Sequence, residues 1–170
     1  MKNISFQSDI LPLKNELFRM ALRITQNREE AEDVVQETML KIWDRRDQWA
    51  QLESIEAFCL TICRNLSLDK LRRMDNQVQS LSDDIDPTDH SHGANPEQVA
   101  IRNERSEMIR QMINELPERL RTCMQLRDIE GKSYRDIAAI LDITEQQVKV
   151  NIFRARQAVR EKYIMIEKKY

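Results

Sequence analysis

The chain has very little of what loops, strands and membrane spans require. Its 170 residues include only two glycines and four prolines, so few sharp turns interrupt it. Valine and isoleucine recur at helical spacing and never alternate over a sustained run, which argues against β-strands. No apolar run approaches the roughly 20 residues that cross a bilayer, and the N-terminus lacks a signal-peptide core. The composition predicts a cytoplasmic, all-α protein.

Signs of catalysis and of metal binding are equally scarce. Two glycines cannot form a phosphate-cradling loop, and no nucleophile lies near a plausible base, so we expect no enzyme, no cofactor and no small-molecule substrate. Three cysteines have no disulfide-like spacing. Cys59 and Cys63, four apart on one helix, could begin a metal site with His90 and His92. Two buried cysteines on an apolar helix face are the simpler interpretation.

Charge is abundant and unevenly distributed. A third of the residues are charged and the net charge is −2. Residues 1–74 balance to zero, residues 75–98 carry six acidic groups and no cation, and residues 99–170 have an excess of four positive charges. The positive charge therefore lies in the C-terminal part of the chain, which is typical of a nucleic-acid-binding region.

The apolar pattern predicts two small helical domains joined by a flexible acidic linker. Residues 1–74 form the first domain, with helices over 10–26, from Asn27 to about Asp44, and from about Ser54 to Arg73. The linker is residues 75–96, which hold both histidines and no helical periodicity. Asn95 and Pro96 restart a helix at the beginning of the second domain, residues 97–170. That domain has helices to about Glu115 and over 118–130, followed by a helix-turn-helix.

The helix-turn-helix is the most specific pattern in the chain. Ser133 can cap a short helix, and a three-residue turn follows at Asp142, a residue that tolerates left-handed backbone. Thr144 and Gln147 form a capping box that begins a second helix. Val148 and the apolar positions that follow it at helical spacing should dock this helix on the first one. The residues that point away from this contact are Gln146, Lys149, Val150, Phe153, Arg154 and Gln157. Exposed amide and cationic side chains suit the DNA major groove, and the alternative is a helical hairpin with a solvated basic face.

Two patterns in the first domain have both a functional and a structural interpretation. Its second helix exposes a polar stripe opposite the core face, at positions i, i+4, i+7 and i+8, formed by Glu29, Asp33, Gln36 and Glu37. The stripe is either an ordinary solvated face or a docking surface for a basic protein. The third helix carries an amide and cations near two tryptophans, a combination that suits single-stranded DNA: Arg64, Asn65, Lys70, Arg72 and Arg73. We expect Trp43 to be buried and Trp49 to be exposed.

Three segments together resemble a bacterial extracytoplasmic-function sigma factor, the small two-domain type of the sigma-70 family. They are EEAEDVVQETMLKIW, FCLTICRNLSLDKLRR and LPERLRTCMQLRDIEGKSYRDIAAILDITEQQVKVNIFRARQAVRE. The resemblance covers nearly the whole chain except the linker. It implies a dissociable subunit of RNA polymerase that recognises promoter DNA, with core polymerase and a membrane anti-sigma factor as further expected partners. The rival is a stand-alone helix-turn-helix regulator whose first domain dimerises or senses a ligand.

The resemblance also implies roles for individual residues. Asp33, Gln36 and Glu37 match the motif that docks on the coiled coil of the largest polymerase subunit. Asn65 matches an asparagine that, with the loop from Trp49 to Glu56, would hold a base flipped out of the −10 element. Further candidates for −10 contact are Trp49, Arg64, Arg72 and Arg73. Candidates for −35 contact are Arg127, Gln146, Gln147, Lys149, Val150, Phe153 and Arg154. Asn151 stands where many relatives have arginine, so a phosphate contact there is not expected.

Overall fold

A computed structural model describes residues 2–80 and 100–169, with side chains over 2–77 and 104–169. These two ranges are helical and contain no β-strand, so the all-α prediction is confirmed. The α-helices are α1 (Lys14–Thr25), α2 (Arg28–Asp44), α3 (Ile55–Ser80), α4 (Ala100–Asn114), α5 (Glu118–Met124), α6 (Tyr134–Leu141) and α7 (Glu145–Glu167). No helix in this part of the chain is long and apolar enough to span a membrane.

Helices α1, α2 and α3 pack on one another around a continuous apolar core. The predicted inward faces of α1 and α2 are buried, including Leu17, Ile24, Ala31 and Ile42. Asn27 begins α2 because its side-chain oxygen accepts a hydrogen bond from the Glu30 amide at 3.1 Å, which satisfies one of the free N–H groups of the first turn.

Several predicted helix limits differ from the structure. α3 continues to Ser80, seven residues beyond Arg73, so residues 75–80 of the predicted linker are helical. Apolar periodicity fails there because that end of the helix leaves the core, with Asp75, Asn76 and Gln77 exposed. The rest of the predicted linker, and the predicted cap at Asn95 and Pro96, lie outside the described residues. Helix 118–130 is α5 followed by a π-helical turn, Gln125–Ile129.

The helix-turn-helix has the predicted caps. The Ser133 hydroxyl accepts from the Asp136 amide at 3.1 Å. Thr144 and Gln147 exchange the two hydrogen bonds of the capping box, at 2.9 and 3.1 Å. Asp142 ends α6 in the left-handed region, with φ of +53°. Val148, Ile152 and Ala155 are buried against the rest of the domain, which leaves the opposite face of α7 free.

The two domains also contact each other. α1 packs against α5, and α3 packs against α6. Several ion pairs and hydrogen bonds cross between the domains, among them a bidentate pair from Arg19 to Glu130. The helix-turn-helix therefore lies beside the third helix of the first domain.

Candidate polymerase and promoter interfaces

The predicted −35 surface lies on the first three turns of α7. Gln146, Lys149 and Arg154 are exposed, and Phe153 is 67 % exposed although it is a large apolar side chain. An apolar ring that a folded protein leaves in water is a candidate contact for another molecule, and thymine methyl groups offer apolar surface in the major groove. The geometry matches the helical wheel that the sequence predicts.

Arg127 joins this surface from the π-helical turn that follows α5. Its guanidinium lies 4.4 Å from the centre of the Tyr134 ring, and the Lys149 ammonium lies 5.6 Å from the same ring. Arg127 also donates to the Lys132 carbonyl at 2.8 Å. Cation–π contact thus places two predicted −35 residues beside one tyrosine. No sequence pattern indicates this role for Tyr134, because its position next to the Ser133 cap indicates only a helix start.

Two side chains near the beginning of α7 are partly committed to the fold. The Gln147 amide oxygen accepts the Thr144 N–H in the capping box, so this side chain is held at the helix start with its NH₂ group free to donate. The Asn151 amide donates to the Cys123 sulfur at 3.8 Å, a weak inward contact. Its direction agrees with the expectation that Asn151 does not contact phosphate.

The docking stripe of Glu29, Asp33, Gln36 and Glu37 is exposed along its whole length on α2. Leu40 continues the same face one turn further and is 66 % exposed. A large apolar side chain beside a row of carboxylates gives the surface an apolar anchor within a charged rim, the usual anatomy of a protein interface. The i+11 spacing from Glu29 places Leu40 on the same face, so helical periodicity is the sequence signal that identifies it.

The predicted −10 residues are not equally accessible. Asn65, Arg72 and Arg73 are exposed, and the Asn65 amide has no hydrogen-bond partner within the described ranges. Arg72 is 3.8 Å from Asp69 on the same helix. In contrast, the Arg64 side chain is only 11 % exposed and lies 3.7 Å from Glu118 of the second domain. Domain contact therefore covers one of these candidates.

The loop before α3 borders a cleft that could receive a base. The cleft measures about 480 Å³ and is lined by the segment from Leu52 to Glu56, by Lys2 to Ile4, and by Asp9. Lys2 donates to the Glu53 carbonyl at 3.4 Å. The N-terminal segment thus forms one wall of the candidate site, a placement that no local sequence pattern indicates.

The expected exposure of the two tryptophans is wrong. Trp49 is only 6 % exposed and its indole N–H donates to the Ile42 carbonyl at 3.1 Å, whereas Trp43 is 47 % exposed. The 3-10 turn Arg46–Gln51 folds Trp49 back over the end of α2. Trp43 makes edge contacts with Phe6 and Trp49, and Arg46 lies 4.8 Å from its ring centre. Trp43 is therefore the ring that can meet an unstacked base.

The cysteines are structural residues in the described part of the chain. Burial raises the pKa of both Cys59 and Cys63 to about 12, so they are neutral thiols near pH 7 and poor metal ligands. No group of three metal-binding side chains comes together within residues 2–80 and 100–169. The histidines of the suggested metal site, His90 and His92, lie outside the described residues.

The two domains match two family models. Residues 10–77 match sigma-70 region 2, and residues 106–159 match sigma-70 region 4. These limits coincide with the three-helix domain and with the domain that contains the helix-turn-helix. The match to region 2 accounts for the first domain without dimerisation or ligand sensing, so the alternative of a stand-alone regulator is not supported.

Curated relatives extend the match over most of the chain. The ECF RNA polymerase sigma factor SigE of Mycolicibacterium smegmatis is 32 % identical over 85 % of this chain, which spans 56 % of that protein. The RNA polymerase sigma-H factor of Pseudomonas aeruginosa is 28 % identical, with coverages of 91 % and 84 %. The ECF RNA polymerase sigma-E factor of Escherichia coli K12 is 32 % identical, with coverages of 76 % and 72 %.

Two solved structures have the same fold. The sigma factor RpoE of Bartonella quintana, in complex with the anti-sigma factor NepR, aligns with a TM-score of 0.75 at 25 % identity, covering 92 % of this chain and 94 % of that one. CnrH, in complex with the cytosolic domain of CnrY, aligns with a TM-score of 0.69 at 20 % identity, covering 94 % and 88 %.

The fold, the two domain matches and the relatives define the class: the chain belongs to the sigma-70 family. Within that family it is an RNA polymerase sigma factor of the extracytoplasmic-function type, a DNA-binding factor for transcription initiation.

Proposed function

We propose that this sigma factor docks on core RNA polymerase through the stripe Glu29, Asp33, Gln36 and Glu37, reads the −35 element with α7 and Arg127, and captures melted −10 DNA around Asn65. It would act in the cytoplasm, where polymerase and promoter DNA are. The observation that carries the proposal is the solvent exposure of all three surfaces' central residues, while the faces behind them form the core. Exposed polar and apolar groups arranged in rows are available to partners.

The proposed roles require binding energy and no chemical step. Cations on α7 and Arg127 would hold the duplex through phosphates and base edges. Arg72 and Arg73 would attract the unpaired strand, while the Asn65 amide pairs with a base edge. The protein would bind these bases only when they are unstacked. Their binding free energy would therefore stabilise melted DNA and favour promoter opening.

Charge reversal at the docking stripe tests the polymerase assignment. We expect Asp33→Lys combined with Glu37→Lys to abolish core-polymerase binding, because two like charges opposite a basic partner cost several kcal/mol of complementarity. The measurement is co-purification with core enzyme, together with circular dichroism to verify the helical fold. The matched control reverses Glu104 and Glu161, two exposed acids of the second domain that change the net charge equally.

Polymerase binding that survives the stripe reversal would refute the docking assignment. Loss of binding in both variants would mean that net charge, and no particular surface, governs the association.

An anti-sigma partner is a second part of the proposal. The sigma factor RpoE is found in complex with the anti-sigma factor NepR, and CnrH is found in complex with the cytosolic domain of CnrY. This chain shares the fold of both. Co-purification of the tagged chain from its native host, followed by identification of bound proteins, tests for such a partner.

A further inference from the structure

A cleft between the two domains is lined by more cations than carboxylates. It measures about 600 Å³, a volume typical of small-molecule sites. One wall is the last part of α1, and the other is formed by α4 and by the π-helical turn that follows α5. The charged lining residues are Arg19, Arg23, Glu107 and Arg110. None of them belongs to the docking stripe or to the predicted promoter surfaces, so the cleft has no role yet.

Arg23 brings a partly buried positive charge to this cleft. Its Nε donates to the Gln125 side-chain oxygen at 2.9 Å, and its Nη1 donates to the Asn114 side-chain oxygen at 2.8 Å. Both acceptors are neutral amides, and Arg23 makes no ion pair with any residue that the structure describes. Burial lowers the pKa of Arg23, and the nearby charges of Arg110 and Arg121 lower it further. Because buried charges are normally paired with opposite ones, Arg23 lacks the partner that its burial ordinarily requires.

A second guanidinium, that of Arg121 on α5, lies behind the first and is only 7 % exposed. It donates to the Arg23 and Ile24 carbonyls at 3.0 and 2.9 Å, and to the Leu116 carbonyl at 2.9 Å. The last carbonyls of a helix carry partial negative charge, so Arg121 is stabilised by the end of α1. Burial nevertheless lowers the pKa of Arg121 more than the Glu118 carboxylate raises it. Two cations with only neutral hydrogen-bond acceptors therefore lie side by side at the cleft.

The other charges of the cleft do not neutralise this pair. Arg110 of α4 is exposed and has neither a hydrogen bond nor an ion pair within residues 2–80 and 100–169. Arg19 is matched by Glu130, with contacts of 2.6 and 2.8 Å. Among the lining residues only Glu107 is a carboxylate, and it is exposed on α4. The cleft therefore keeps an excess of positive charge after its ion pair is counted.

The rest of the cleft offers apolar surface and amide groups. Leu22 is 37 % exposed and Ile129 is 48 % exposed, although both side chains are large and apolar. Gln111 of α4 is exposed at the cleft. The Gln26 amide donates to the Asn114 carbonyl at 2.7 Å, which leaves the Gln26 side-chain oxygen available as an acceptor. Apolar surface beside amide donors and acceptors suits a flat heterocycle with polar edges better than an aliphatic chain or a bare ion.

We propose that this cleft binds a nucleotide, with its phosphate groups on Arg23 and Arg110 and its base against Leu22 and Ile129. A guanidinium binds phosphate through parallel N–H donors. The hydrogen bonds of Arg23 to the two amide oxygens use only Nε and Nη1, so Nη2 is available for a phosphate. The phosphate would supply the negative charge that Arg23 lacks. The proposal does not depend on the docking or promoter assignments, because it uses none of their residues.

Titration calorimetry of the full chain, with ATP and GTP as probes, tests the site. At least one of the two nucleotides should bind with one molecule per chain. Inorganic triphosphate, which has the charge without the base, should bind about tenfold or more weakly than that nucleotide. The matching nucleoside, which lacks phosphate, should not bind measurably. Failure of both nucleotides to bind overturns the proposal. Equal affinity for both nucleotides and for inorganic triphosphate also overturns it, because the cleft would then attract any anion.

A substitution on α4 locates the bound phosphate. Arg110→Gln removes an exposed cation that makes no contact of its own within the described ranges, so the fold should be preserved. It should weaken nucleotide binding about tenfold, because a charged hydrogen bond to phosphate is lost. Arg105→Gln is the matched control, since Arg105 is an exposed arginine of the same helix that does not line the cleft. Equal losses in both variants would mean that general positive charge holds the nucleotide, and the proposal would be wrong.

Two further variants separate the base from the phosphates and the cleft from the DNA surface. Leu22→Ala should weaken nucleotide binding about threefold through lost apolar contact and leave the affinity for inorganic triphosphate unchanged. An equal effect on both ligands would refute the placement of the base. A nucleotide is also a polyanion, so the cations of α7 are a competing place for it. If Arg154→Ala abolishes nucleotide binding while Arg110→Gln does not change it, the nucleotide lies on α7 and the cleft is not its site.

Discussion

The two predicted DNA surfaces of this sigma factor differ in how the fold presents them. The −35 surface is a single helix face that stands free, with Phe153 at 67 % exposure. The −10 site is assembled from a helix, a loop and the N-terminal segment, and the second domain covers part of it. A reading surface carried by one helix is complete once that helix forms. A surface assembled from several segments depends on tertiary packing and on the position of the other domain.

The largest expected effect separates the two tryptophans of the −10 side. Trp49→Ala should lower the free energy of unfolding by about 3–5 kcal/mol, because it empties a buried aromatic site and removes the indole hydrogen bond to the Ile42 carbonyl, which still accepts from the Arg45 N–H. Trp43→Ala should lower it by less than Trp49→Ala does, since about half of the Trp43 side chain already lies in water. Urea denaturation followed by circular dichroism measures both.

Substitution of Trp43 also tests base stacking. Trp43→Ala should weaken binding of a −10 single strand by roughly 1–3 kcal/mol, the typical contribution of one stacked base. A Trp43→Phe variant retains a ring and should recover part of that loss. If Trp43→Ala binds the strand as tightly as the wild type, the Trp43 ring does not contact DNA. Only cationic and amide side chains then remain as candidate −10 contacts in the first domain.

The next prediction concerns the exposed −35 surface. Arg154→Ala or Lys149→Ala should weaken −35 binding by about 1–3 kcal/mol if the side chain reads a base edge, and the loss should depend on sequence. A phosphate contact would instead weaken all sequences alike and reduce the salt slope by about one unit. Selection from a promoter library, repeated at several salt concentrations, distinguishes these two cases.

Arg160→Ala is the matched control for α7. Arg160 is an exposed arginine on the same helix, two turns beyond Phe153 and past the last predicted reading residue. Its loss should change neither the preferred sequence nor the affinity beyond the small effect of one distant charge. If Arg160→Ala and Arg154→Ala behave alike, the helix acts through general positive charge and the assigned reading face is wrong.

Prediction from sequence succeeded where a local pattern determines the result. Ser133, Asp142 and Thr144 set the limits of the helix-turn-helix through caps and backbone conformation within four residues, and each has the predicted role. The same holds for the Asn27 cap of α2. In each of these interactions both partners lie within one helical turn of each other in the sequence, so the sequence alone predicts them.

Prediction failed where distant segments decide the result. Trp49 is buried because a short 3-10 turn directs it onto α2, and periodicity cannot report the direction of such a turn. The cover over Arg64 comes from Glu118, more than 50 residues along the chain. Contacts of this kind depend on which surfaces of two domains complement each other, and no spacing rule encodes that complementarity.

The smallest expected effect concerns Asn65, which remains exposed beside the covered Arg64. Asn65→Ala should reduce open-complex formation about tenfold, because one lost hydrogen-bonded pair contributes roughly 1–1.5 kcal/mol. An amide both donates and accepts, so it can pair with the edge of an unstacked base. Core-polymerase binding and −35 affinity should stay at the wild-type level. Permanganate reactivity of −10 thymines on linear duplex promoters measures the effect.

The control for Asn65 is Asn15→Ala, which removes a second exposed asparagine of the same domain, on α1. It should leave permanganate reactivity unchanged.

A premelted −10 bubble refines the assignment of Asn65, because it removes the cost of opening the duplex and leaves the base contact as the remaining difference. A defect that persists on the bubble means that Asn65 reads the base, and a defect that disappears means that it assists opening. Normal reactivity of the alanine variant on linear duplex would make Asn65 a surface residue without a role in promoter capture, and would shift the −10 contact towards Trp43 and the cations of α3.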